Sequence, residues 1–140
     1  MVVKLIFAMN TETPISEIMT KDVICVQAED SVLKVEEIFS CNPIHHIMVV
    51  EDGELVGVVS KTDMMLLYKE YAYTAEKLNA SGMLIEDIMT PDPLSLEIDD
   101  TIGLAADIIM ANKFHSIPVV DDGKLVGIVT NHDLVKFAFS

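Results

Sequence analysis

The sequence VVEDGELVG at residues 49–57 returns as VVDDGKLVG at residues 119–127, an offset of 70 residues. In both places an Asp-Gly pair separates two apolar runs rich in Val and Leu. This pattern is typical of a β-hairpin with a two-residue turn. When the chain is aligned with itself at the same offset, residues 15–64 and 85–134 are identical at 19 of 50 positions without a gap. The chain therefore contains two copies of one unit.

Each copy predicts the same order of elements, β-α-β-β-α. The first strand is a short apolar run at residues 24–26 and 94–96. A helix follows, because apolar residues recur at relative positions 0, 3, 6 and 7 and form one stripe. After the hairpin a second helix begins at Ser60 and at Thr130, and in the first copy it is expected to run to about Leu78. The two stripes consist of Val32, Val35, Ile38 and Phe39, and of Ile102, Ala105, Ile108 and Ile109.

These elements predict an α/β (α+β) fold in which two β-α-β-β-α repeats pack with pseudo-twofold symmetry into one module. The packing is expected because a unit of about 50 residues is marginal on surface-to-volume grounds. The predicted organisation is an N-terminal strand or extension at 1–14, a first repeat at 15–78, a linker at 79–84 and a second repeat at 85–140. Clefts between two similar units suit ligands better than asymmetric catalysis.

The composition excludes several classes of function. The net charge is −14 and all nine basic residues are Lys, which makes a nucleic-acid partner improbable. Cys25 and Cys41 fit neither a disulfide framework nor a CxxC metal site, so we expect a reducing, cytoplasmic environment and no metal. The apolar start is too short to span a bilayer and lacks a cleavage site, so no membrane association is expected. No P-loop, GxGxxG, HExxH or catalytic triad spacing occurs, which predicts a protein that is not an enzyme and requires no cofactor.

The second helix of each copy begins with a hydroxyl residue followed by a carboxylate three residues later, as Ser60 with Asp63 and Thr130 with Asp133. One interpretation is a capping box, in which the two residues bind each other's backbone amides. The other is a nucleotide site, because a helix N-terminus attracts phosphate and a nearby carboxylate can accept two hydrogen bonds from a ribose diol. The two roles are compatible, and the spacing alone leaves both open.

These motifs, taken together, resemble the tandem cystathionine-β-synthase (CBS) domain pair, also called a Bateman module. The resemblance covers about residues 15–140. It implies a regulatory, signal-transducing sensor that binds an adenosine compound such as AMP, ADP, ATP, NAD or S-adenosylmethionine and controls an associated protein. It also implies a homodimer, for which the apolar run at residues 64–67 is the predicted surface. The matching segments are residues 18–20, 45–53 and 55–63 in the first copy, and 88–90, 115–121 and 125–133 in the second.

The resemblance also assigns roles to individual positions. Ribose is implied to bind Asp63 and Asp133, and the phosphate or ribose to bind the hydroxyls of Ser60 and Thr130. The residue before each aspartate, often hydroxylated in the family, is Thr62 in the first copy and His132 in the second. A basic residue before the hairpin falls at His45 and His115. The apolar wall around adenine is implied at Ile24, Ile47 and Met48, and at Leu94, Ile117 and Pro118.

Two features refine this prediction. Polyphosphates are usually held by several cations, often Arg, and this chain has none, so AMP is favoured over ATP. The second copy keeps the family proline at Pro118 whereas the first has Met48, which predicts unequal sites with the first the more altered. The alternative prediction is a ligand-free module for dimerisation or for docking a partner.

Overall fold

The computed structural model describes residues 10–71, 76–77, 81–112 and 115–140. The chain divides into two compact units, which we name after the hairpin that each contains. The first-hairpin unit is Ile24–Pro93, and the second-hairpin unit combines Leu94–Ser140 with the residues up to Val23. The start of the predicted N-terminal strand, the predicted helix end near Leu78 and part of the linker lie outside the described residues.

The first-hairpin unit is built on a small mixed sheet. Strand β1 runs parallel to β2, β2 is antiparallel to β3, and β3 is antiparallel to β4. Ser31 caps the first helix by accepting a hydrogen bond from the amide of Leu33 at 3.3 Å. The elements in order are β1 (Cys25–Gln27), α1 (Val32–Cys41), β2 (His46–Glu51), β3 (Glu54–Ser60), α2 (Lys61–Tyr71), a 3₁₀ turn (Ile85–Asp87) and β4 (Thr90–Pro91).

The second-hairpin unit repeats this arrangement. Strand β5 runs parallel to β6, and β6 is antiparallel to β7. Thr20 forms an antiparallel bridge with Ile128 of β7, at the position equivalent to the pairing of Thr90 with Val58. The predicted mixed α+β class is therefore confirmed. The elements are a 3₁₀ turn (Ile15–Glu17), β5 (Leu96–Glu97), α3 (Ile102–Asn112), β6 (Ser116–Asp121), β7 (Lys124–Thr130) and α4 (Asn131–Ala138).

Both hairpin turns have the conformation that the Asp-Gly pairs predict. Asp52 and Gly53 have φ of 52° and 83°, and Asp122 and Gly123 have φ of 50° and 82°. Positive φ at both central residues defines a type I′ turn, whose twist matches that of the flanking strands. Asp tolerates this region better than most residues because its short side chain can bond locally. The turns fix the register that brings the end of each hairpin back to its start.

The segment that opens each copy in the sequence packs in the unit that contains the other copy's hairpin. The amide of Ile15 donates to the carbonyl of Asp100 at 2.8 Å, and Ile15 is fully buried among side chains of the second-hairpin unit. In the same way, the amide of Ile85 donates to the carbonyl of Asp30 at 2.9 Å in the first-hairpin unit. The compact units are therefore offset from the sequence repeats by one segment.

A close approach of backbones accompanies each of these segments. At Gly127 in β7, an added Cβ would lie 2.7 Å from Sδ of Met19 and 3.0 Å from the carbonyl oxygen of Thr20. At Gly57 in β3, an added Cβ would meet the side chain of Met89 in the same manner. The repeated Leu-Val-Gly sequence thus has a structural reason, because glycine lets the incoming segment lie against the strand.

Candidate functional site

Ser60 ends β3 and starts α2, and its backbone and side chain bind the carboxylate residue three positions later. The amide of Asp63 donates to Oγ of Ser60 at 3.0 Å, and the amide of Ser60 donates to Oδ2 of Asp63 at 3.1 Å. This is the reciprocal capping box that the spacing predicts. Oδ1 of Asp63 has no hydrogen-bond partner among the described residues, so capping leaves half of the carboxylate unengaged.

Thr130 and Asp133 form the equivalent pair at the start of α4. The amide of Asp133 donates to Oγ1 of Thr130 at 3.1 Å, and the amide of Thr130 donates to Oδ2 of Asp133 at 2.9 Å. The Thr130 hydroxyl also donates to Oδ2 at 3.1 Å. The capping prediction is therefore confirmed in both copies, although the second pair is the more extensively bonded.

Thr20 is a further member of the second site that the sequence analysis did not assign. Its Oγ1 donates to Oδ1 of Asp133 at 3.0 Å, across 113 residues of sequence. The residue stood in the repeated Ile-Met-Thr motif, which was a signal of a shared role. Its partner could not be deduced, because the sequence alignment assigns Thr20 to the copy that does not contain Asp133.

The histidines before each hairpin lie beside the helix starts. The amide of Lys61 donates to the carbonyl of His45 at 2.8 Å, and the amide of Asn131 donates to that of His115 at 3.3 Å. Both histidine side chains are exposed, as are those of Thr62 and His132. In α2 the first and third amides are thus engaged, whereas within the described residues the intervening amide of Thr62 has no acceptor outside its helix. A helix start with a free amide and exposed polar neighbours can bind an anion.

The six residues assigned to an adenine wall divide into buried and exposed sets. Ile47 and Ile117 belong to the two hydrophobic cores and are 0% and 1% exposed. Met48 and Pro118 are also buried. Ile24 is 40% exposed and Leu94 49%. Only these last two present an apolar surface that a ligand could contact without rearrangement.

A separate groove of about 350 Å³ lies between α1 and α2. At its edge, Glu36 and Tyr68 occupy positions whose counterparts in the second copy are Ala106 and Ala138, and Ala106 is fully buried there against Leu134. The second helix pair thus has small side chains at two positions where the first has larger polar ones. The groove is lined by Glu36, Phe39, Ser40, Lys61, Met64, Met65 and Tyr68.

Tyr68 gives this groove a measurable property. Its hydroxyl is buried, and within the described residues no group meets hydrogen-bond geometry with it. Burial, and after it the nearby Glu36 carboxylate, raise the pKa of Tyr68 from its ordinary value of 10.0 to about 12. The folded state disfavours ionisation of Tyr68. The free energy of unfolding is therefore unaffected by this titration below pH 10 and falls as the pH rises towards 12.

We therefore expect Tyr68→Phe to remove part of the alkaline loss of stability. At neutral pH the variant should be more stable by about 1 kcal/mol, because a buried hydroxyl without a partner is removed. Between pH 10 and 12 the advantage should grow. Urea unfolding of both proteins from pH 7 to pH 12 measures the difference, and parallel stability curves would contradict the expectation.

Metal ligands, thiols and membrane-spanning helices were also sought among the residues that the structure describes. In this part of the chain, no group of three or more His, Cys, Asp and Glu side chains could hold a metal ion. Cys25 and Cys41 are both exposed free thiols. Among the helices that the structure describes, none combines the length and apolar character needed to cross a bilayer.

Comparison with known proteins assigns the family. Residues 15–70 and 85–140 each match the sequence model of the CBS domain. The chain belongs to the CBS-domain family. This CBS pair is 34% identical over 149 residues to the chloroplastic CBS domain-containing protein CBSX1 of Arabidopsis thaliana, a match that covers 89% of this chain and 63% of the relative. The predicted relationship to tandem CBS domains is confirmed.

Solved structures have the same fold. The crystal structure of CBSX2 in complex with AMP has 32% sequence identity to this CBS pair and a TM-score of 0.75, over 90% of this chain and 96% of that one. The protein MJ1225 from Methanocaldococcus jannaschii has 25% identity and a TM-score of 0.83, over 99% of this chain and 52% of its own. The CBS pair thus spans less than two thirds of CBSX1 and about half of MJ1225.

Proposed function

We propose that this CBS pair is a non-catalytic regulatory module that binds an adenosine nucleotide or adenosyl compound at the starts of α2 and α4. Asp63 and Asp133 accept hydrogen bonds from the ribose diol. Ser60 and Thr130, with Thr62 and His132, face the phosphate or the ribose. The other proposed contacts are His45 and Ile24 at the first site, and His115 and Leu94 at the second. The remaining residues assigned to the adenine wall, Ile47, Met48, Ile117 and Pro118, are buried, so a ligand could contact them only after rearrangement.

The observation that carries this proposal is that capping engages only one carboxylate oxygen of Asp63. A capping box needs only one oxygen, and Oδ2 alone accepts from the amide of Ser60. Oδ1 is left to accept hydrogen bonds from a ligand, beside the free amide of Thr62 and the exposed side chains of Thr62 and His45. A nucleoside monophosphate needs an acceptor for its ribose diol and, close by, a donor for its phosphate. Oδ1 of Asp63 is such an acceptor and the amide of Thr62 is such a donor.

Charge favours AMP among the adenosine compounds. The chain carries −14 and has no Arg, and the basic residues near the proposed first site are His45, His46 and Lys61. A triphosphate would add several negative charges to an acidic protein without the bidentate Arg contacts that usually hold it. The related CBSX2, which has been crystallised in complex with AMP, supports the same choice.

Isothermal titration calorimetry with AMP, ATP, NAD and S-adenosylmethionine tests the proposal on the full chain. We expect AMP to bind most tightly and to bind at least tenfold more weakly to Asp63→Ala at the first site, since a carboxylate bond to a diol contributes about 1.5–3 kcal/mol. Asp107→Ala, which removes an exposed carboxylate from α3, is the control for net charge and should bind as the native protein does.

Thermal unfolding provides the second measurement. AMP at about 100 times its dissociation constant should stabilise the native protein by about 2.7 kcal/mol. If none of the four compounds binds or stabilises, the sensor proposal is wrong. If binding survives when Asp63→Ala and Asp133→Ala are combined in one chain, an adenosine compound binds elsewhere on that chain.

The alternative is a dimerisation or docking module, and one observation favours it. Met65 and Leu66 on α2 are 63% and 54% exposed, next to the groove at Tyr68. Met side chains adapt readily to a partner surface, and an exposed apolar helix face is a typical homodimer contact. Sedimentation velocity of the native protein and of Met65→Glu tests this alternative, since a dimer formed through α2 should dissociate in the variant.

A further inference from the structure

The two aspartates proposed to bind ribose differ in how many hydrogen bonds they already accept. An ionised carboxylate has about four lone-pair positions. Asp63 accepts one bond, from the amide of Ser60. Asp133 accepts three, from the amide of Thr130, from the Thr130 hydroxyl and from the Thr20 hydroxyl. Asp63 therefore keeps enough free positions for both hydroxyls of a ribose diol, whereas Asp133 does not.

Thr20 occupies the one oxygen of Asp133 that capping leaves unused. Oδ2 is taken by Thr130, and Oδ1 accepts from Oγ1 of Thr20 at 3.0 Å. The backbone of Thr20 is held to β7 by two hydrogen bonds with Ile128, of 2.8 and 2.9 Å. The backbone is therefore fixed while the exposed side chain can turn its hydroxyl to water by rotation about χ1 alone.

The first-hairpin unit contains the same pair of residues without the bond. Thr90 pairs with Val58 of β3 in the register that Thr20 has with Ile128. In the described part of the chain, however, the Thr90 hydroxyl donates no hydrogen bond to Asp63. One threonine–aspartate pair is thus bonded and its duplicate is open, which indicates that both arrangements fit this fold.

We propose that Thr20 is a latch on the second site, which an adenosine ligand must open before Asp133 can accept its ribose diol. This inference rests on the proposed function and adds an order of occupancy. The Asp63 site is preformed and fills first. The Asp133 site fills at higher ligand concentration, because part of the binding energy replaces the bond from Thr20. The difference between Pro118 and Met48 in the sequence predicted instead that the first site is the more altered one.

Thr20→Val tests the latch because valine keeps the shape of threonine and removes the hydroxyl. In an Asp63→Ala background, which silences the first site, AMP should bind Asp133 about tenfold more tightly in Thr20→Val, a factor equivalent to about 1.4 kcal/mol. Thr20→Ser, which restores a hydroxyl, should return the affinity to that of the background. Thr90→Val is the matched control and should leave the Asp63 site unchanged in an Asp133→Ala background.

The outcomes distinguish the latch from the proposed function. If adding Thr20→Val to Asp63→Ala leaves AMP binding unchanged or weaker, while the Asp63 site still binds AMP in Asp133→Ala, the latch is overturned and the sensor proposal stays in place. If AMP, ATP, NAD and S-adenosylmethionine all fail to bind the native protein and every variant, both the latch and the sensor proposal are overturned. Equal tightening by Thr90→Val would also overturn the latch, because the effect would then not depend on the bond to the carboxylate. Circular dichroism of each variant confirms that the fold is retained.

Discussion

Replacing Ile15 with alanine is expected to lower the free energy of unfolding by about 2–5 kcal/mol, as large-to-small changes in well-packed cores do. Ile15 is fully buried in the core of the second-hairpin unit, and its amide is bonded to the carbonyl of Asp100. The short turn that carries it has few means to collapse into the cavity, because Thr20 anchors the segment to β7 a few residues later. Equilibrium urea unfolding measures the loss.

Hydrogen exchange shows where the loss occurs. In Ile15→Ala, protection should fall in β6 and β7, since Ile15 packs in their core although it belongs by sequence to the first copy. In Ile85→Ala, protection should fall instead in β2 and β3. Ser16→Ala, at the exposed neighbouring position, is the control and should change stability by about 0.5 kcal/mol or less. If Ile15→Ala weakens β2 and β3 alone, the assignment of its segment to the second-hairpin unit is wrong.

The second large effect is expected at Gly127. Gly127→Val should destabilise the protein by about 3 kcal/mol, the upper part of the range for overpacking. The new Cβ alone would lie 2.7 Å from Sδ of Met19 and 3.0 Å from the carbonyl oxygen of Thr20. Valine is favourable in strands, so strand propensity opposes the loss and cannot account for it. Thermal and urea unfolding measure the change.

A double variant separates the two contacts. Met19→Ala in the Gly127→Val background should recover part of the stability, because it removes the flexible side chain but leaves the backbone oxygen of Thr20 in place. Full recovery would mean that the backbone contact is unimportant. The absence of any loss in Gly127→Val would show that the segment containing Met19 does not lie against β7.

Local features of the fold were predictable from the sequence. The Asp-Gly turns, the capping residues Ser60 and Thr130 and the apolar stripe of α1 each depend on residues close together in the chain. Turn geometry and capping need only a few neighbouring atoms, so the residue types are sufficient to specify them. The gap-free duplication then gave each prediction a second, independent instance.

The long-range features were not predictable in the same way. Alignment of the copies identifies which residues correspond but not which copy a segment packs against, so the bond from Thr20 to Asp133 had no sequence signal of its own. Burial of Ile47 and Ile117 also exceeds what a surface role suggests, because strands β2 and β6 are covered on both faces. The continuous apolar runs at residues 47–50 and 117–120 are typical of strands buried on both faces, so the surface role came from the family resemblance and not from the sequence pattern.

The exchange of opening segments has a consequence for synthesis of the chain on the ribosome. When the first hairpin and its two helices have emerged, the turn at Ile85 that completes their core has not yet been made. The segment with Ile15 is made first, yet it must wait for Val119 and Val129 near the end of the chain. The first-hairpin unit, which is contiguous from Ile24 to Pro93, can therefore complete its core before the second hairpin has been made, whereas the second-hairpin unit cannot. The unit that contains Ile15 is thus the first to be started and the last to be completed.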